Sequence, residues 1–272
     1  MNTRCEIHLV SENKIKADTV ASEVLKEVKR LEKKYNYYNL TSYLSQINNR
    51  NENVLDIETK DILKNCLNYY DITNKVFDVT IATIKDIFKS DTLKEFYSKK
   101  EFLTPFVGCE NFKIQRTKIV FSNPHTKIDL GGYVKEYAVD RSVNILKKHK
   151  IKSAFINYGG DMYILGLKPD GSKYKIGIKN PKFPKNNIIS LELYNQAIAT
   201  SGGYERSYMI EDKIFSHIIA SDVQNEYLSA TVISNSSLTS GIYSTSLMIN
   251  SDIKTKEKII LVDKNLELSY RN

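Results

Sequence analysis

The stretch Ile128–Asp161, IDLGGYVKEYAVDRSVNILKKHKIKSAFINYGGD, constrains the fold of this chain more than any other. An acidic residue ends a short apolar strand. Two glycines follow, then a helix, then a second strand that ends in another Gly-Gly-Asp. Gly131 and Gly132 let backbone come close to a ligand with no Cβ in the way. The helix start behind them leaves N–H groups without intrahelical acceptors, which favours an anion such as a phosphate. The stretch reads as built around a phosphorylated ligand.

The rest of the chain supplies the frame. Arg4–Val10 alternates like a first strand, and Lys16–Tyr35 is a long amphipathic helix with Val20, Val24, Val28 and Leu31 on one face. Tyr43–Asn49 reads as a short helix. Glu58–Thr73 reads as another, with Ile62, Leu63, Cys66, Leu67 and Tyr70 as its buried stripe. A short helix is expected after Asp78-Val79-Thr80, and Ser90–Phe106 reads as partly loop. After Phe112 the pattern turns to strands: Phe112–Gln115, Lys118–Phe121, Lys127–Leu130, Ser153–Tyr158, Asp161–Leu167 and Tyr174–Lys179. The last two are joined by Pro-Asp-Gly-Ser, a hairpin turn signal. Further strands are expected at Ile188–Tyr194, Ala197–Thr200, Tyr208–Ile210, Ile214–Ala220, Ser229–Ser234 and Lys258–Val262, with helices over Tyr133–Lys148 and Thr239–Ile249. The expectation is an α+β chain, helix-rich first and sheet-rich later, with residues 1–272 forming a single domain.

Bulk properties exclude several classes. At 272 residues the chain can bury a full core. The net charge of +8 comes from lysines spread along the chain, and the densest run, Lys147–Lys150, closes a helix whose dipole it complements. Nucleic acid is therefore not the expected partner. Three cysteines, Cys5, Cys66 and Cys109, form no CxxC pair, which argues against a zinc site or a disulfide framework. No apolar run approaches the roughly 20 residues of a membrane span, and MNTRCEIHLV lacks the apolar core of a signal peptide. As written, the expectation is a cytoplasmic protein; a trimmed export signal would make it periplasmic or membrane-anchored.

Seven segments, in order, resemble the ApbE family of FAD:protein FMN transferases. They are Met1–Thr3 (family pattern MGT), Thr73–Thr80 (TxGxFDxT), Ile128–Asp140 (DLGGIAKGYAVD), Asn157–Asp161 (NYGGD), Ala199–Tyr208 (ATSGxYxR), His217–Ile219 (HIIDP) and Leu238–Leu247 (ADALSTAL). The resemblance implies a T-shaped α+β fold that binds FAD. It implies a Mg²⁺-dependent transfer of FMN from FAD onto a Ser or Thr hydroxyl of an acceptor redox protein, with release of AMP. Such chemistry needs an anion cradle, a cation on the phosphates and a positioned base.

Carried onto this chain residue by residue, the resemblance gives the following roles. Met1, Tyr38 and Val76-Phe77-Asp78 would line the flavin and adenine; by base rate alone Phe77 would be core and Tyr38 half-exposed. Asp129 would accept hydrogen bonds from the flavin or ribityl side, or else cap the helix behind it. Lys135 would contact FAD, as would the Ile218 backbone. Thr200–Gly203 would let backbone lie close to the ligand, and Arg206 would pair either with an anion or with a structural carboxylate. His217, whose unperturbed pKa lies near neutrality, is the candidate base; a lone strand histidine is otherwise more often structural. The metal would take Thr245 and the Gly132 carbonyl.

The chain departs from the family pattern at three points. The metal-binding Asp, one helical turn before Thr245, is Gly241. Ala220 and Ser221 replace the Asp-Pro of HIIDP, and Lys-Gly-Tyr reads Lys135-Glu136-Tyr137. Asp222 and Asp161 are the nearest substitute carboxylates to consider. Two readings follow: an active transferase, or a flavin carrier or scaffold that has lost transfer. Gly241→Asp is expected to raise Mg²⁺ affinity by recreating an i, i+4 ligand pair.

Overall fold

In the computed structural model, residues 3–202, 207–216 and 226–272 are described. The chain packs as two compact units: Met1–Lys33, Gly132–Gly202 and Gln224–Asn272 form the first, and Lys34–Gly131 with Gly203–Val223 the second.

In chain order the elements are β1 (Cys5–Leu9), α1 (Lys14–Tyr35), α2 (Tyr43–Asn48), α3 (Ile57–Ile72), a 3-10 segment (Val79–Lys89), α4 (Leu93–Leu103), β2 (Phe112–Gln115), β3 (Lys118–Phe121), α5 (Val134–Lys148), β4 (Ala154–Tyr158), β5 (Asp161–Leu165), β6 (Tyr174–Lys179), β7 (Asn187–Leu193), β8 (Gln196–Gly202), β9 (Ser207–Ile210), β10 (Lys213–Ser216), β11 (Tyr227–Ser234), α6 (Ser237–Ile249), β12 (Lys258–Asp263) and β13 (Leu268–Arg271). Helices and antiparallel sheets together make the expected α+β class.

The first unit is built on a seven-stranded sheet in the order β1-β4-β5-β8-β11-β12-β13, antiparallel throughout. Its two faces are covered differently. Ile164, Ile198, Ile233 and Ile260 meet Ile176, Ile178 and Leu193 from the β6–β7 ribbon. On the sheet, α5 packs against β4 and β5, and α6 against β8 and β11. The alternation of β8 explains how one strand serves both layers: Thr200 bonds Thr231 across the sheet, while Ser201, pointing the other way, reaches α6. The apolar stripe of α1 is buried as its period requires, with Val20, Val24 and Leu31 fully covered. Glu27 on α1 is bonded to Arg141 on α5, and Glu23 to His149 beyond it.

The second unit carries the short helices. Asp56 caps α3 by accepting from the Thr59 N–H, and Thr92 caps α4 by accepting from the Glu95 N–H. Its core joins Ile84 and Ile87 of the 3-10 segment to Phe96 of α4 and Ile210 of β9.

Three expectations need correction. Lys127–Leu130 belongs to no sheet. Its backbone is satisfied instead by the Asn48 side chain, which exchanges two 2.8 Å hydrogen bonds with Ile128, and by the Val79 carbonyl, which accepts from Asp129. The Pro-Asp-Gly-Ser turn forms, with Gly171 at φ +79°, yet it does not pair its flanking strands. Both edges of β5 are already taken, by β4 and β8, so β6 pairs with β7. Ser90–Phe106 is mostly helix rather than loop, and β13 was not anticipated.

Candidate functional site

In the first unit the site is organised by the contact of α5 with α6. Asp140, the closing residue of YVKEYAVD, is aimed at the start of α6. Its carboxylate accepts from the Ser237 N–H (2.8 Å), the Leu238 N–H (3.1 Å) and the Ser236 hydroxyl (2.7 Å). These are first-turn donors that the helix itself cannot satisfy. The bonds pin α5 to α6 in one register. One turn back along α5 is Glu136; one turn forward along α6 is Gly241. The two meet: a Cβ at Gly241 would overlap Glu136 Cγ and lie 3.1 Å from its Cδ and Oε1. In sequence, Gly132 lies four residues before Glu136, just ahead of α5, and Thr245 four residues after Gly241 on α6.

Glu136 is only 5% exposed, and its Oε2 is buried with no hydrogen-bond partner among the described residues. Burial pushes its pKa well above the ordinary glutamate range; the nearby Lys135 ammonium opposes this and Asp161 adds to it. Lys135 forms an ion pair with Asp161 and lies 3.6 Å from Glu136. Asp161 owes its place to the preceding turn. Tyr158 opposes Asp161 across a two-residue hairpin whose central residues, Gly159 and Gly160, both have positive φ, as a type I′ turn demands. Asn157 accepts from the Gly160 N–H, and a Cβ at Gly159 would overlap Thr3. The Thr245 hydroxyl is held by Ser201 on β8 at 3.0 Å. At the N-terminus of α5, Tyr133 contributes no side-chain cap.

In the second unit, Asp129 accepts from the Gly131 N–H (2.9 Å) and forms an ion pair with Lys85. The Lys85 ammonium also lies over the rings of Tyr37 (5.0 Å) and Tyr38 (4.7 Å). Burial pulls the Lys85 pKa down, but Asp129 outweighs it and the balance is upward. Tyr38 is 67% exposed, more open than the base-rate expectation. Phe77 is core, edge-on to Tyr69, leaving half-buried Val76 as the outward side chain of that run. Asp78 caps the 3-10 segment through the Thr80 N–H and hydroxyl and accepts from the Cys109 thiol, and burial raises its pKa.

The anticipated residues thus divide: Gly132, Lys135 and Thr245 lie in the first unit, and Tyr38, Val76, Phe77, Asp78 and Asp129 in the second. Met1, Arg206, His217, Ile218, Ala220, Ser221 and Asp222 fall outside the described residues. Among the described residues, no group of three or more His, Cys, Asp or Glu is arranged to hold a metal, and no helix is long and apolar enough to cross a membrane. Two surface concavities of the first unit, one lined by Leu191, Ile233 and Arg271 and one by Glu27, Arg141 and Lys148, include none of the anticipated site residues. Sequence reasoning did not find Lys85, Asp140 as the α6 cap, or Ser201 beside Thr245. Asp140 had a signal: it ends the Ile128–Asp140 motif yet had been given no role.

The family model for the ApbE family matches residues 1–266. The chain belongs to the ApbE family. It is 24% identical over 245 residues to a FAD:protein FMN transferase of Vibrio cholerae, spanning 85% of this chain and 73% of that one. It is 30% identical over 196 residues to a FAD:protein FMN transferase of Chlamydia pneumoniae, spanning 68% of this chain and 59% of the relative. The crystal structure of an ApbE protein from Thermotoga maritima superposes with a TM-score of 0.85 at 25% identity, covering 98% of this chain and 93% of that one. The flavin transferase ApbE from Vibrio cholerae superposes at 0.82 with 20% identity, covering 100% and 94%, a likeness of fold.

Proposed function

We propose that this chain, working as one domain, is a Mg²⁺-dependent FAD:protein FMN transferase that modifies a Ser or Thr hydroxyl of an acceptor redox protein. The observation that carries the reading is the family match across residues 1–266, joined to relatives named for that activity over as much as 85% of the chain.

In the proposed reaction the acceptor hydroxyl oxygen attacks the FMN-side phosphorus of FAD. The new O–P bond forms as the bond to the bridging oxygen breaks, and the electron pair leaves on AMP. His217 takes the hydroxyl proton. Tyr38, Val76, Phe77, Asp78 and Asp129, with Lys85 beside Asp129, would contact the flavin nucleotide by the family match, as would Met1, Lys135 and the Ile218 backbone. Gly131-Gly132 and the start of α5 receive the phosphates. The donor types suit a hard cation: a Thr245 hydroxyl, a Gly132 carbonyl and, on α5, a buried Glu136 carboxylate oxygen with no hydrogen-bond partner among the described residues. Bound there, Mg²⁺ would supply positive charge to the pyrophosphate oxygens.

The test is incubation of the protein with FAD, Mg²⁺ and a domain bearing a Ser/Thr flavinylation motif, read by intact mass. The expected result is acceptor heavier by one FMN, with AMP released in equal amount. Unmodified acceptor alongside tightly retained FAD would instead mark a flavin carrier.

A further inference from the structure

The position that would carry a metal-binding carboxylate on α6 is Gly241, and the space a side chain would need there is taken by Glu136 from α5. We infer that Glu136 supplies the carboxylate of a divalent-cation site at the α5–α6 contact, with Thr245 and the Gly132 carbonyl. The inference rests on the transferase reading and names the residue which that reading leaves missing.

Three independent features converge on Glu136. First, Asp140 meets Ser237 and, one turn away, Glu136 meets Gly241, while Gly132 precedes Glu136 by four residues and Thr245 follows Gly241 by four. The carboxylate therefore enters the same layer of the helix pair from the opposite side. Second, Glu136 Oε2 is buried without a hydrogen-bond partner among the described residues. Leaving a buried carboxylate oxygen unpaired is costly, and a cation is one way to satisfy it. Third, Gly241 sits within α6, where glycine weakens a helix by about 1 kcal/mol relative to alanine; the close approach of Glu136 gives that glycine a reason. Lys135 is ion-paired with both Asp161 and Glu136, and Asp161 Oδ2 is likewise buried without a hydrogen-bond partner among the described residues; what singles out Glu136 is its contact with Gly241. Within the layer of Gly241 the available oxygen belongs to Glu136. Carboxylate, hydroxyl and carbonyl oxygens are the donors Mg²⁺ prefers, with phosphate and water completing the shell.

The experiment is titration of Mn²⁺, as a spectroscopic stand-in for Mg²⁺, into the full chain with FAD present, following free Mn²⁺ by electron paramagnetic resonance. Flavin retention without metal is measured in parallel by fluorescence. Glu136→Gln keeps the shape and loses the charge, and is expected to weaken Mn²⁺ at least about tenfold while keeping flavin. Gly241→Asp alone is expected to lower the melting temperature without strengthening Mn²⁺. The double variant Glu136→Gly/Gly241→Asp, which moves the carboxylate to α6, is expected to bind Mn²⁺ within about threefold of the parent. Parent-like Mn²⁺ affinity in Glu136→Gln with flavin retained would overturn the inference and leave the transferase reading standing. Should Glu136→Gln not fold, the double variant decides: recovered affinity supports the inference, and a folded double without affinity overturns it. A parent chain that holds neither flavin nor Mn²⁺ would overturn both.

Discussion

At the scale of single residues, Asp140 and Gly241 show how much one side chain, or its absence, can set. Asp140 satisfies two backbone donors and one hydroxyl at the head of α6. Asp140→Ala is expected to cost about 1–2 kcal/mol of unfolding free energy, read by urea denaturation, because the Ser237 and Leu238 N–H groups lose their acceptor while the Ser236 N-cap remains. It is also expected to weaken Mn²⁺, since the register that brings Glu136 to Gly241 goes with it. Gly241→Asp is the more informative change. From sequence it looked like the repair of a lost ligand. In the folded protein its Cβ runs into Glu136 Cγ, so overpacking is expected to cost about 1–3 kcal/mol in the same assay. A residue-level alignment identified the missing carboxylate but not the side chain filling its place, because α5 and α6 are some hundred positions apart and nothing local to either records their contact.

Whole elements were legible where a local pattern decided them. The 3.6-residue stripe of α1 and the alternation of β4 are properties of a few adjacent residues. So was α4, had the capping signature been used: Thr92 accepts from the Glu95 N–H, and Glu95 reaches back to the Asp91 N–H. What could not be read was pairing. The turn after β5 has hairpin chemistry, yet competition for the edges of β5 sent β6 to β7. Lys127–Leu130 has strand composition, yet a buried asparagine side chain took the place of a neighbouring strand. The link between α1 and α5 offers a test at this scale. Glu27 bonds Arg30 at 2.8 Å and Arg141 at 3.0 Å. Chiefly through the Arg30 hydrogen bond, and against a smaller opposing effect of burial, its pKa is held below the usual glutamate range. A lowered folded-state pKa means stability that is present above the unfolded-state value, near 4.3, and lost as pH falls through the folded-state value. Glu27→Gln is expected to lower the urea midpoint near neutral pH and to flatten its decline in acid; equal midpoints for parent and variant at both ends of the range would refute the assignment.

Across the molecule, the family motifs were legible because they are short and ordered, and they run through nearly the whole chain. Their distribution between two compact units was not legible. No change of composition marks the division, and the chain crosses it four times, twice within a glycine pair: Gly131-Gly132 and Gly202-Gly203. The Asp129–Lys85 pair with the tyrosine rings beside it belongs to one unit, and the Asp140–Glu136 ladder to the other. Sequence showed which residue types the chemistry requires and missed the neighbours that hold them in place, Lys85 and Ser201, because those are set by packing rather than by motif.

The overlap at Gly241 also constrains history. A chain carrying the acid on α6 and a chain carrying it on α5 are separated by two substitutions. The intermediate with both side chains is overpacked by about 1–3 kcal/mol, and the intermediate with neither has no carboxylate in that layer. Each change is expected to be harmful in the background suited to the other, so the two positions are coupled rather than independent. Position-by-position comparison counts such a pair as two losses, although together they keep one carboxylate in the layer, contributed by the neighbouring helix.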